Sequence, residues 1–119
     1  MIDDEMTDVP TVEEYKRALE AVHPIHQNHL GLLRSHARAP SHTLTATQLA
    51  DAVGYENYGA VNLQYGAFAD KLCGLLNRDP KTRLSVLVAF AKEGSDKAEH
   101  WKLILRPQVV QALNELGLV

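Results

Sequence analysis

The sequence has one cysteine, Cys73, in 119 residues. That excludes an internal disulfide framework and any cysteine-rich zinc site. No apolar run approaches the ~20 residues needed to span a bilayer. The first residues, Met1-Ile2-Asp3-Asp4-Glu5, are acidic where a secretory leader is basic and then apolar. A cytoplasmic protein without a membrane partner is the expectation. Neither a phosphate-loop glycine pattern nor a nucleophile elbow is present. Internal repeats and low-complexity tracts are also missing. Catalysis has no positive signal, so the chain is expected not to be an enzyme.

An excess of positive charge is absent as well. The formal net charge is −3, whereas a dedicated nucleic-acid binder usually shows a clear basic surplus. The balance is uneven along the chain. Residues 1–20 hold seven acids against Lys16 and Arg17, and residues 21–119 hold ten bases against eight acids. The body can therefore still carry a basic face. Residues 1–10 read as a disordered acidic tail, which can be a solvated head, a cover for a basic surface, or a phosphate mimic. Residues 11–119 read as one domain, since a chain of this length supports a single core.

What is present is helical periodicity. Thr11 suits a first N-cap, with Glu13 and Glu14 favourable in the first turn. Val12, Tyr15, Leu19 and Val22 form one stripe, and Ile25, His29, Leu32, Leu33 and His36 continue it. His23-Pro24 breaks or kinks the run, giving one bent helix or two before Pro40. Ser41–Leu44 reads as an extended link. Thr45-Ala46-Thr47-Gln48 then fits a capping box, and Gly54 a left-handed helix stop. Asn57 caps a longer helix whose stripe is Val61, Tyr65, Phe68, Leu72 and Leu75/Leu76. A short helix, a glycine turn and a longer helix make a helix-turn-helix.

After Asn77–Pro80, Leu84–Phe90 reads as a strand and His100–Leu105 as its return, joined through Glu93–Glu99. Pro107 opens a last helix and Gly117 closes it. The fold class expected is mainly α with a small β-hairpin, in winged helix-turn-helix order.

The run Leu44–Ala50, Val53-Gly54-Tyr55 and Tyr58–Gly66, with Trp101–Leu103 and Leu105-Arg106-Pro107 near the end, resembles a small winged-helix-like module found beside HNH-type restriction endonucleases in bacteria. The resemblance covers roughly residues 25–119. It implies a targeting role rather than cleavage, because His100 has no asparagine and histidine set following it at a usable distance.

The expected partner is double-stranded DNA, with a protein partner as the alternative. The N-terminal part of the second helix would meet base edges through Tyr58, Asn62 and Gln64, since Asn and Gln pair bidentately with adenine. Tyr55 and Tyr58 are open candidates for stacking or phosphate contact, while Tyr65 belongs to the apolar stripe. Glycines at 59 and 66 imply close approach by a phosphate, a base edge or a neighbouring helix. Arg34, Arg38 and Lys71, with Lys92 and Lys97 in the wing, would contact phosphates; ordinary solvated charge explains them nearly as well. Arg78, Lys81 and Arg83 add positive charge near the end of the long helix. His23, His26 and His29 are one turn apart, yet no carboxylate or thiol completes a ligand set and Pro24 intervenes. Packed or solvated histidines are therefore expected, and no metal or cofactor. The function expected is a DNA-binding regulator or targeting part of a restriction system. The alternative is a protein-interaction module, such as a phage or mobile-element antagonist of a host complex.

Overall fold

The computed structural model describes residues 2–3 in backbone, and residues 8–91 and 101–119 apart from the side chains of Pro80 and Thr82. Among these residues the chain forms α1 (Val12–Ala21), α2 (Gln27–Arg38), α3 (Ala46–Val53), α4 (Tyr58–Leu76) and α5 (Pro107–Glu115). The strands are β1 (Ile2–Asp3), β2 (Thr43–Thr45), β3 (Val88–Ala91) and β4 (Lys102–Leu105). All pairings are antiparallel: β4 lies between β2 and β3, and the two-residue β1 extends the sheet beside β3. The result is a mainly helical protein with a small antiparallel sheet.

The helix ends follow local chemistry. Thr11 and Glu14 form a reciprocal capping box on α1, and Thr45 and Gln48 form another on α3. Each pair satisfies two amides that the first helical turn leaves without partners. Gly54 ends α3 at φ 80°, and the Asn57 side chain accepts from the Ala60 amide to start α4. The interval around Pro24 separates α1 from α2, so the N-terminal helical stretch is two helices.

The helices close over one core. Leu32 and Leu33 of α2, Leu49 of α3, Leu72 of α4 and Leu113 of α5 are all fully buried. Burial of a side chain this size contributes about 1.5–3 kcal/mol. Tyr15 on α1 is also buried, and its hydroxyl donates to the Val86 carbonyl at 2.6 Å. Desolvation holds the Tyr15 phenol well above its ordinary range, against the opposing charges of Arg106 and Arg78.

Several expectations need correction. The strand expected over Leu84–Phe90 is split: Leu84–Val86 belong to a 3-10 segment, Pro80–Val86, and the ladder runs over Val88–Ala91. The backbone acceptors there are satisfied in other ways. Arg106 Nε donates to Ser85 O at 2.7 Å, Tyr15 to Val86 O, and the Arg106 amide to Leu87 O at 2.9 Å. With those carbonyls engaged, pairing starts at Val88, opposite Leu105. The returning strand starts at Lys102, and His100 lies outside the described residues.

Of the extended link expected over Ser41–Leu44, Thr43 and Leu44 are extended in β2, while Ser41 and His42 belong to a 3-10 turn, Pro40–His42. Ser41 and His42 adopt φ of 54° and 53° in that turn. Leu75 leaves the α4 stripe: it is 49% exposed, and Leu76 is the buried member of the pair. The N-terminal ten residues, expected as a solvated tail, include the β1 pairing and a buried Pro10, and the Asp8 carboxylate lies 3.5 Å from Arg78.

Candidate functional site

The α3–α4 unit presents its candidate surface on α4. Asn57 holds the helix start, so the first turns stand clear of α3 with Gly59, Asn62 and Leu63 exposed. Leu63 is 70% exposed, the most exposed large apolar residue among those described. Ala67, Asp70 and Gly74 continue the outward face. The unit carries three acids (Asp51, Glu56, Asp70) against one base, Lys71. Positive charge for phosphate contact must therefore come from outside it.

Two of the three glycines on α4, Gly59 and Gly66, have close neighbours within this chain, and Gly74 has none within 4 Å. A Cβ at Gly66 would lie 2.5 Å from a guanidinium nitrogen of Arg83. Arg83 crosses the helix there to reach Asp70, with Nε 3.0 Å from the carboxylate. At Gly59 a Cβ would meet the capping Asn57 oxygen at 3.0 Å. The approaching groups at these two positions are the Arg83 and Asn57 side chains of this chain.

The expected contact residues are scattered. Asn62 is exposed at the start of α4, as expected. Gln64 is half-buried, and its Oε1 lies 3.2 Å from His29 Nε2. Tyr55 and Tyr58, expected to be open, are half-buried against the core, and the Tyr55 hydroxyl is buried without a hydrogen-bond partner among the described residues. Neither ring is a free stacking platform. Arg38 is exposed at the end of α2. Arg34 is also exposed, but its Nε donates to the Leu118 carbonyl at 2.8 Å and ties the C-terminal end to α2. Lys71 lines a cleft with His29 and Phe68. Lys92 and Lys97 lie outside the described residues. Arg78 joins Asp8 and Glu14 at 3.5 and 3.6 Å, so it is shared with acids of the N-terminal region.

Of the histidines expected to be packed or solvated, His29 and His36 are packed. His36 is fully buried, with Nδ1 2.8 Å from the Tyr65 hydroxyl and Nε2 2.7 Å from the Leu103 carbonyl. A carbonyl only accepts, so Nε2 carries the proton and Nδ1 accepts from Tyr65. Burial lowers the His36 pKa to about 4, against the raising effect of the Leu103 bond. The ring is therefore a neutral strut joining α2, α4 and β4. His29 is also buried, packed on Phe68 at 5.2 Å and on the exposed His26 ring at 5.6 Å. Its pKa is pushed down, first by burial and further by Lys71 and His26, while the Gln64 bond opposes the shift. Both histidines fall on the apolar spacing of α2, and that spacing was the available signal.

Among the described residues no three His, Cys, Asp or Glu side chains gather to hold a metal ion, and no helix is long and apolar enough to cross a membrane. Cys73 is buried in α4. Comparison with known proteins finds no matching family model, curated protein or solved structure.

Proposed function

We propose that the chain is a non-enzymatic winged-helix module that binds double-stranded DNA through α4, as a cytoplasmic regulator or the targeting part of a restriction system. The observation that carries this reading is the exposed start of α4 behind a capped turn from α3. There Asn62 offers an amide to an adenine edge and Leu63 an apolar surface to a thymine methyl. The order α2–β2–α3–α4–β3–β4, with β4 between β2 and β3, supports the winged-helix assignment. In this reading the wing lies between β3 and β4, and Arg38 with the wing lysines Lys92 and Lys97 supplies the phosphate contacts that α4 lacks. The targeting role rests on the resemblance of residues 25–119 to the restriction-associated module.

A second reading, a protein-interaction module such as a phage or mobile-element antagonist, is favoured by one observation. The α3–α4 unit has more acids than bases, and its most exposed large apolar side chain is Leu63. Fluorescence anisotropy of a labelled duplex pool, with plain and methylated cytosine at two salt concentrations, separates the two. Binding that weakens steeply with salt supports the DNA reading. A difference between the duplexes supports the restriction role. No binding at low salt overturns the DNA reading in favour of a protein partner.

A further inference from the structure

Between the α1–α2 connection and the middle of α4 lies a cleft of about 360 Å³, near the lower end of the roughly 300–1,000 Å³ typical of small-molecule sites. Val22, Ile25 and Phe68 provide apolar wall, and His26, His29 and Lys71 the polar groups. His29 is 6% exposed. Its Nε2 lies 3.2 Å from Gln64 Oε1, an oxygen that only accepts, so Nε2 carries the proton. Nδ1 is left with a lone pair, and it is buried without a hydrogen-bond partner among the described residues. Native structures rarely leave a buried ring nitrogen unpaired. Burial, opposed by the Gln64 bond, holds the ring below its ordinary pKa, so it is neutral near pH 7.5. The neighbour packed on it at 5.6 Å is the exposed His26 ring. Exposed side chains change rotamer within nanoseconds, so this part of the wall yields to a small ligand.

We propose that this cleft binds a small neutral phenol, its ring on Val22, Ile25 and Phe68 and its hydroxyl donating to His29 Nδ1. The lone pair selects the class, because only a ligand with a hydrogen to give can satisfy it. A carboxylate or phosphate offers acceptors alone and would face Nδ1 with like charge. A cationic donor is disfavoured by Lys71, since no carboxylate is among the described residues that line the cleft. What remains is an uncharged donor, and the apolar wall asks for a hydrocarbon body to go with it. A phenol joins a strong O–H donor to a flat ring, which suits a wall that includes Phe68 and two imidazoles. Its oxygen can also accept. His26 Nδ1 takes the Asn28 amide at 3.1 Å, so the neutral His26 ring keeps its proton on Nε2 as a donor. The site is on the flank of α4 that faces α2, while Leu63 is on the outward face, so the proposal stands whether or not α4 binds DNA.

The test is an NMR titration of the full isotope-labelled chain with phenol at pH 7.5, carried to about 20 mM because so small a ligand binds in the millimolar range. The ligand-free chain should show the His29 proton on Nε2. Phenol should give saturable shifts centred on Ile25, His29 and Phe68, and should move the Nδ1 resonance of His29. Anisole keeps the ring and the oxygen but has no hydrogen to donate, and it should bind about tenfold more weakly; benzoate should bind at least as weakly as anisole. In His29→Phe, phenol and anisole should bind alike. The comparison of ligands on the unaltered chain decides the matter even where that variant does not fold. A His29 proton on Nδ1, shifts that do not saturate, anisole or benzoate binding as tightly as phenol, or a preference for phenol that survives His29→Phe would each overturn the proposal.

Discussion

Arg83 lies across Gly66 on its way to Asp70: the guanidinium sits 2.5 Å from where a Cβ at position 66 would be. The obstructing group is the far end of a flexible and half-exposed side chain, not backbone. Replacing Gly66 by alanine therefore sets two modest effects against each other. Removing a glycine from a helix interior gains about 1 kcal/mol, and losing an exposed ion pair costs about 0–1 kcal/mol. Gly66→Ala should leave stability within about 1 kcal/mol of wild type, and in an Arg83→Ala background it should stabilise by about 1 kcal/mol. Urea unfolding of the four proteins measures this. A loss above about 2 kcal/mol for the single variant would mean that something other than Arg83 needs the space.

The buried His36 makes stability depend on pH. Its folded pKa is about 4, against an ordinary 6.5, so between those values the unfolded chain binds the extra proton and the folded chain does not. Stability is complete above the unfolded value and falls as pH drops from 6.5 toward 4. By linkage the loss between pH 7 and 5 is about 2 kcal/mol. His29 shifts in the same direction. His36→Phe should be less stable at pH 7, because the Tyr65 hydroxyl and Leu103 carbonyl lose their partner, and should show a flatter pH profile. An unchanged slope in chemical denaturation across this range would contradict the assignment.

Thr45 starts α3 and Gly54 ends it. Thr45→Ala removes the cap that accepts from the Gln48 amide at 3.1 Å and should cost about 1 kcal/mol. Gly54→Ala places a side chain at φ 80°, again costing about 1 kcal/mol. Thermal and urea unfolding should show both losses, while the mirrored Gly31→Ala, inside α2 with nothing within 4 Å of the added carbon, should stabilise.

Tyr55 gives a prediction of the opposite sign. Its hydroxyl is buried without a partner among the described residues, so Tyr55→Phe removes a desolvation cost and should hold or raise stability by up to about 1 kcal/mol. Duplex affinity should not change, since the hydroxyl does not face outward. Weakened DNA binding in this variant would restore Tyr55 to the contact surface.

The proposed interface makes its own demand. Asn62 and Leu63 are exposed, so Asn62→Ala and Leu63→Ala should unfold at nearly the wild-type temperature. Duplex affinity should fall about tenfold for Asn62→Ala, with relaxed sequence preference, as expected for a lost base contact. Arg38→Glu should instead weaken all duplexes alike and reduce the salt slope. Wild-type affinity in all three variants would remove α4 as the reading element.

The sequence alone determined the features whose physics is local. The N-cap at Thr11, the capping box at Thr45, the left-handed stop at Gly54, the Asn57 cap and the proline start of α5 depend on neighbours a few residues away, and all are where the spacing put them. The core face of α4 was legible for the same reason, through Val61, Tyr65, Phe68 and Leu72. Tertiary structure decided everything that depends on a distant partner. Strand β2 is three residues long and forms because β4 offers it a ladder. The stretch before Val88 coils because Tyr15 and Arg106, 71 and 21 residues away in sequence, take its carbonyls. Whether a polar side chain is a contact residue or a strut was likewise a tertiary matter: Arg34 and Gln64 are held by Leu118 and His29, while Asn62, on the same helix as Gln64, is left facing water. A side chain's chemical type is written in the sequence, but its hydrogen-bond partner is set by how the helices pack.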